Sequence, residues 1–229
     1  MAAGNNLALP SSSSAATAIL LLLVLLAPAQ TSITDVAALS LLQKGLRDPN
    51  GELTSWVWDP DLPNPCSWSY VTCDHPDHRV TGIHLVGLGL SGVINRYLAK
   101  VEFPKYLEIP WNLIEGSIPM EYGQMENLVS FDLSGNWLSG SIPPQLGWLQ
   151  SLVYMRIDHN QLTGPIPSDL GELHNLLFLD LASNDLCGIV LIYLERFPLS
   201  SFADNPRLKL PEMDGSRPSN LTSDDDTGC

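Results

Sequence analysis

Two small constellations carry groups able to do chemistry. Asp158-His159 sets a carboxylate beside an imidazole, the minimum for moving a proton. Cys66 and Cys73, followed by His75 and His78, offer sulfur and imidazole ligands of the kind zinc takes. Neither is completed. No Ser-His-Asp setting, phosphate loop or HExxH-type metal motif accompanies the acid–imidazole pair, so no nucleophile and base assemble, and the chain reads as a non-enzyme without a cofactor. The Cys/His spacing matches no common zinc framework, and Asp224 to Asp226 lacks the spaced ligands calcium requires, so no metal is expected.

The residues that recur point elsewhere. Asn112, Asn136, Asn160 and Asn184 stand 24 residues apart, each in the same frame of leucine, glycine and proline. Leu107, Phe131, Met155 and Leu179 share one column; Ile109, Leu133, Ile157 and Leu181 share another. Gly116, Gly140, Gly164 and Gly188 follow at constant offset, and Ile118-Pro119, Ile142-Pro143 and Ile166-Pro167 close each turn. A period of this length with this pattern belongs to leucine-rich repeats. Each unit is one short strand and a return segment that cannot bury its own apolar edge, so neighbours must stack. The asparagine side chains then bond backbone groups that the turns leave unpaired, a ladder and not a catalytic site.

The frame Leu-x-Gly-x-Ile-Pro resembles the plant-specific class of leucine-rich repeat found in receptor-kinase ectodomains and polygalacturonase-inhibiting proteins. Asp35-Val36-Ala37-Ala38-Leu39, then Asp48-Pro49, Leu53-x-Ser55-Trp56, Asn64-Pro65-Cys66-Ser67-Trp68 and Val71-Thr72-Cys73-Asp74 resemble the amino-terminal cap of those ectodomains. Leu199-Ser200-Ser201-Phe202 and Asn205-Pro206-Arg207-Leu208 are similar to small secreted plant proteins that resemble the ectodomain of somatic embryogenesis receptor kinases without a kinase. The resemblance implies an α/β solenoid: a short right-handed arc of about five repeats with a disulfide-linked helical N-terminal cap. The expected organisation is a signal peptide at 1–29, the cap at 30–79, repeats at 80–191, and a C-terminal cap with an acidic tail at 192–229.

The apolar run Ala18 to Leu26, ending in Ala27-Pro28-Ala29, reads as an export signal cleaved after Ala29. It is short for a membrane span, which takes roughly 20 apolar residues. No later stretch qualifies, and no direct anchor is expected; the protein is read as secreted to the extracellular space or cell wall, reaching the plasma membrane through a partner. Four cysteines on such a route are expected to be bridged, with three pairings open. The resemblance implies Cys66 with Cys73, which leaves Cys187 with Cys229. Asn220-Leu221-Thr222 is the one glycan sequon. Val36, Leu39, Leu42 and Leu46 repeat at helical spacing, with Thr34 or Asp35 as the start and Gly45 to Pro49 as the stop, predicting a helix laid over the first rung. Trp56 and Trp68 read as packing residues at that seam.

With the inward columns occupied, recognition falls to the intervening strand positions. His84, Glu108, Asp132, Arg156 and Asp180 form one mixed-charge column; Tyr106, Trp111, Tyr154 and Phe178 supply aromatics, and Asp158 and His159 extend the fourth rung. Aromatics among small and charged groups suit a protein-binding patch. A formal charge of -14, all of it from Asp35 onward, excludes nucleic acid, which draws its affinity from Lys and Arg. The expected function is that of a secreted, monomeric module docking on receptor-kinase ectodomains or other cell-surface proteins in defence or development. Capture of a microbial cell-wall hydrolase is the alternative, disfavoured because the inhibitor proteins resemble longer arrays. A diverged, inactive copy is the third reading. Leu88 stands in an asparagine slot, Pro104 in a leucine column, and Ile189-Val190-Leu191 where Ile-Pro belongs, so the first, second and last rungs are read as eroded.

Overall fold

A computed structural model describes residues 33–59, 64–75, 78–209 and Cys229. The expected signal peptide, the Asn220 sequon and the acidic run at 224–226 lie outside the described residues. The chain from 33 onward winds as a coil with a sheet on each of two sides and 3₁₀ helices along the return path.

One sheet has six strands. β2 (Val71–Cys73) comes from the cap and runs antiparallel to β3 (Val80–His84); β5 (Tyr106–Glu108), β7 (Ser130–Asp132), β9 (Tyr154–Arg156) and β11 (Phe178–Asp180) then add in parallel. The alternation of side chains along a strand sends every second residue inward. Ile83, Leu107, Phe131, Met155 and Leu179 therefore meet in register as one buried column.

The second sheet was not expected from the sequence. β1 (Leu46–Arg47), β4 (Ser91–Val93), β6 (Leu113–Gly116), β8 (Trp137–Ser141), β10 (Gln161–Pro165), β12 (Asp185–Ile189) and β13 (Arg207–Lys209) line up in that order, parallel except at β1. The Leu-x-Gly stretch is thus strand as well as turn. Its glycines adopt φ between +77° and +87° from Gly116 through Gly188, a conformation side chains with a Cβ resist. Pro119, Pro143 and Pro167 follow and open the 3₁₀ helices Met120–Gln124, Pro144–Trp148 and Ser168–Glu172.

The asparagine ladder is continuous. Asn136 Nδ2 donates to the carbonyls of Ile109, Leu133 and Ser134 while its Oδ1 accepts from the Ile114 amide, and Asn112, Asn160 and Asn184 repeat the pattern. Asn205 extends it: its Oδ1 accepts from Leu186 N and its Nδ2 serves Leu181, Phe202 and Ala203. It escapes a fixed-period reading because it lies 21 and not 24 residues beyond Asn184. A sixth, shorter coil therefore stacks past residue 191.

Helix α1 (Ile33–Gly45) buries Val36, Leu39 and Leu42 and stops at Gly45. Asp35 does more than start it. Fully buried, it accepts from the amides of Val80 and Glu102, fastening the cap to the first two rungs. Burial raises its pKa, with those bonds opposing. Trp56 and Trp68 stack with centroids 5.4 Å apart in the seam. The disulfides are Cys66–Cys73, with Cα atoms 5.6 Å apart, and Cys187–Cys229, at 5.5 Å. Pro104 is buried in the Leu128 column; the turn bond made there by Leu128 N to Met125 O has no counterpart, yet β5 keeps its pairing with both neighbours.

Candidate protein-binding face

The strands of the six-stranded sheet hold two outward columns whose members pair in register. His84, Glu108, Asp132, Arg156 and Asp180 form one; Gly82, Tyr106, Ser130, Tyr154 and Phe178 form the other. A parallel ladder places equivalent residues about 4.8 Å apart, close enough for neighbouring side chains in a column to meet.

The charged column is internally bonded. His84 Nδ1 lies 2.9 Å from Glu108 Oε2, and Ser130 Oγ donates to Glu108 Oε1 at 2.8 Å. Asp132 Oδ1 accepts from both the amide and hydroxyl of Ser134. Arg156 donates to Asp158 through Nε at 3.0 Å and a terminal nitrogen at 3.2 Å, while its other terminal nitrogen stands 3.9 Å from Asp132. Burial alone would discourage the guanidinium charge; the bonds and charge of Asp158, with Tyr154 and Asp132, more than offset that and raise its pKa. Burial likewise raises the pKa of Asp180, although the Ala182 amide donates to it.

The aromatic residues pair along the same face. Tyr154 and Phe178 stack with centroids 4.7 Å apart; Tyr106 leans toward His84 at 5.9 Å, and Trp111 toward His159 at 5.7 Å. Of the residues singled out from sequence, Tyr106, Trp111, His159 and Phe178 are exposed, and Glu108, Tyr154, Arg156 and Asp180 are partly so. Asp158 is not. With 1% exposure it cannot offer itself to a partner; it spans Arg156 and His159, which occupy both its oxygens. The reason is its place beyond the end of β9, where the turn and not strand alternation sets direction. The acid–imidazole pair is accordingly a clamp. Asp132 is also buried.

Sequence reasoning missed Gly135. The position before each ladder slot has positive φ: Gly87 before Leu88, and Trp111, Gly135, His159, Ser183 and Asp204 before the asparagines. At Gly135 an added Cβ would collide with the Trp111 ring, so this glycine is the seat on which the indole lies. Val86, Glu108, Pro110, Trp111, Ser130, Asp132, Tyr154 and Arg156 line an open depression of ≈ 480 Å³ beside it. Among the described residues no group of three or more His, Cys, Asp or Glu could hold a metal ion, and no helix is long and apolar enough to cross a membrane.

Comparison with known proteins agrees with this architecture. Residues 32–74 match the leucine rich repeat N-terminal domain, and residues 127–149 and 151–173 match the leucine rich repeat. "Leucine-rich repeat protein 1" of Oryza sativa subsp. japonica is 51% identical over 72 residues, which cover 31% of this chain and 32% of that protein. The chain thus aligns with about a third of that relative's length. A solved chain of the BIR3–SERK2 complex from Arabidopsis thaliana is 34% identical, with 76% of this chain and 95% of that one covered and a TM-score of 0.73. The BIR2 ectodomain from Arabidopsis thaliana is 30% identical, with 82% and 97% covered and a TM-score of 0.71.

Proposed function

The chain belongs to the plant leucine-rich repeat proteins, and from that premise we propose that it is a secreted module that docks through its six-stranded sheet on receptor-kinase ectodomains or other cell-surface proteins, in defence or development. The observation that carries this is the in-register pair of outward columns, where stacked aromatics lie beside a pre-bonded charge row. Side chains already held in place lose little freedom on binding, which favours affinity. Protein interfaces draw most of their energy from a few aromatic and arginine side chains, the types concentrated here.

The two disulfides and the likeness to the BIR2 ectodomain support an extracellular setting. One of those solved structures is a complex of two proteins, BIR3 and SERK2. The test is titration of immobilised SERK2 and BIR3 ectodomains with the mature protein. Saturable binding that falls with Tyr154→Ala supports docking through this face. Dose-dependent inhibition of a pectin-degrading hydrolase, without ectodomain binding, would replace it with the inhibitor reading; neither activity would leave a diverged copy.

A further inference from the structure

We propose that the depression between Trp111 and Tyr154 receives the guanidinium of an arginine side chain from the docked partner, an inference that rests on the docking role of this face. Trp111 lines the depression. Its backbone sits at φ +56°, the left-handed conformation shared by the whole column, Gly87 and Gly135 as well as His159, Ser183 and Asp204. The ladder imposes that backbone on every rung, and Trp111 is the largest side chain the column carries. Its indole rests on Gly135 and leaves 54% of its surface open. The fold therefore presents a flat aromatic surface outward.

Glu108 and Asp132 border the depression together with Trp111 and Tyr154; Asp132 is bonded to Ser134 and lies near Arg156, whereas Glu108, the more open of the two, keeps spare lone pairs on the oxygens that meet His84 and Ser130. Arg156 also borders it, but two bonds to Asp158 and the approach to Asp132 already engage its charge. Counting buried Asp158 with Glu108, Asp132 and Asp180, the carboxylates around the face outnumber the cations Lys105 and Arg156. The local field is negative, in the same sense as the chain's net charge of -14. An acidic guest would meet repulsion, and an apolar guest would cover carboxylates without pairing them. A cation meets both an aromatic face and acceptors. Arginine suits the shape better than lysine, because a planar guanidinium can stack on indole while its edge donates in parallel to a carboxylate, and the site is shallow and open.

The inference is tested by NMR on the disulfide-intact chain, titrated with a capped peptide of alanines around one arginine and with its uncharged citrulline counterpart. The arginine peptide should shift the Trp111 indole Nε1–H and bind about tenfold more tightly than citrulline. Trp111→Ala and, independently, Glu108→Gln should each weaken it while resonances of the distant rungs stay in place. Equal binding of the two peptides, binding insensitive to both variants, or no shift at Trp111 overturns the inference. The ectodomain titration separates it from the docking role. Ectodomain binding unchanged by Glu108→Gln removes the arginine site and leaves docking intact; a selective arginine response without ectodomain binding does the reverse.

Discussion

Truncating Asn112 should destabilise the protein more than truncating Asn136, although the latter lies nearer the middle of the stack. In Asn136→Ala the Ile114 amide loses its acceptor, but every carbonyl the side chain served keeps a donor: Ile109 O retains Asn112, Leu133 O retains Asn160, and Ser134 O retains the Trp111 amide. One orphaned buried amide plus weakened sharing amounts to about 2–4 kcal/mol. In Asn112→Ala the buried Leu90 amide and the partly buried Leu88 amide both lose Oδ1. Leu85 O loses the 2.6 Å bond from Nδ2 as well, and no own-rung asparagine stands in, because Leu88 occupies that slot. Two or three orphaned groups bring the cost to about 3–6 kcal/mol, a gap of about 1–3 kcal/mol between the variants. Urea unfolding followed by tryptophan fluorescence measures it, with unchanged m-values showing that stability alone has moved. Equal midpoints, or a less stable Asn136→Ala, would refute the redundancy on which the ordering rests.

Three further outcomes follow from the same contacts. Leu133→Ala, in a fully enclosed column, should cost about 2–5 kcal/mol through the cavity it leaves, and an unchanged thermal midpoint would take that residue out of the shared core. Gly135→Ala must adopt φ +62° and displace the Trp111 ring; a stability loss of about 1–2 kcal/mol should accompany a marked fall in partner affinity, both read by calorimetry. Asp180→Asn keeps the acceptor for the Ala182 amide but removes a carboxyl whose pKa burial lifts above 3.8. A raised acid binds its proton more tightly when folded, so wild type should lose stability relative to the variant as pH rises through the carboxylate range; a constant difference across that range would show that Asp180 titrates as if unfolded.

What could be read from the sequence was whatever strict alternation or strict period controls. Leu107, Phe131, Met155 and Leu179 had to face inward because a strand gives every second residue that direction, and the resemblance at Cys66 and Cys73 carried their pairing. What could not be read lies where local geometry departs from those rules. Asp158 follows the end of β9 and turns inward; Asn205 joins the ladder at a shorter interval; Asp35 bonds amides 45 and 67 residues away. The second sheet hid because β4, β6, β8, β10 and β12 each carry a glycine and so look like turns.

The Trp111 seat shows how ladder and face depend on each other. The residue before each ladder asparagine needs a left-handed backbone, which for a residue with a Cβ costs roughly 1–2 kcal/mol. It is held there by an amide donated to the next coil: Trp111 N to Ser134 O, Gly135 N to Asp158 O, His159 N to Ala182 O and Ser183 N to Ala203 O. The ladder asparagine of the next coil anchors the same carbonyls, as Asn136 Nδ2 does at Ser134 O, the acceptor of the Trp111 amide. A polar network built to satisfy buried backbone therefore also supplies the rigidity that lets Trp111 and His159 stand in an unfavourable conformation at the surface. Loss of Asn136 should consequently loosen the Trp111 ring even under conditions where the protein remains folded. A Trp111 indole resonance that is unchanged in Asn136→Ala would show that the ladder and the face are independent after all.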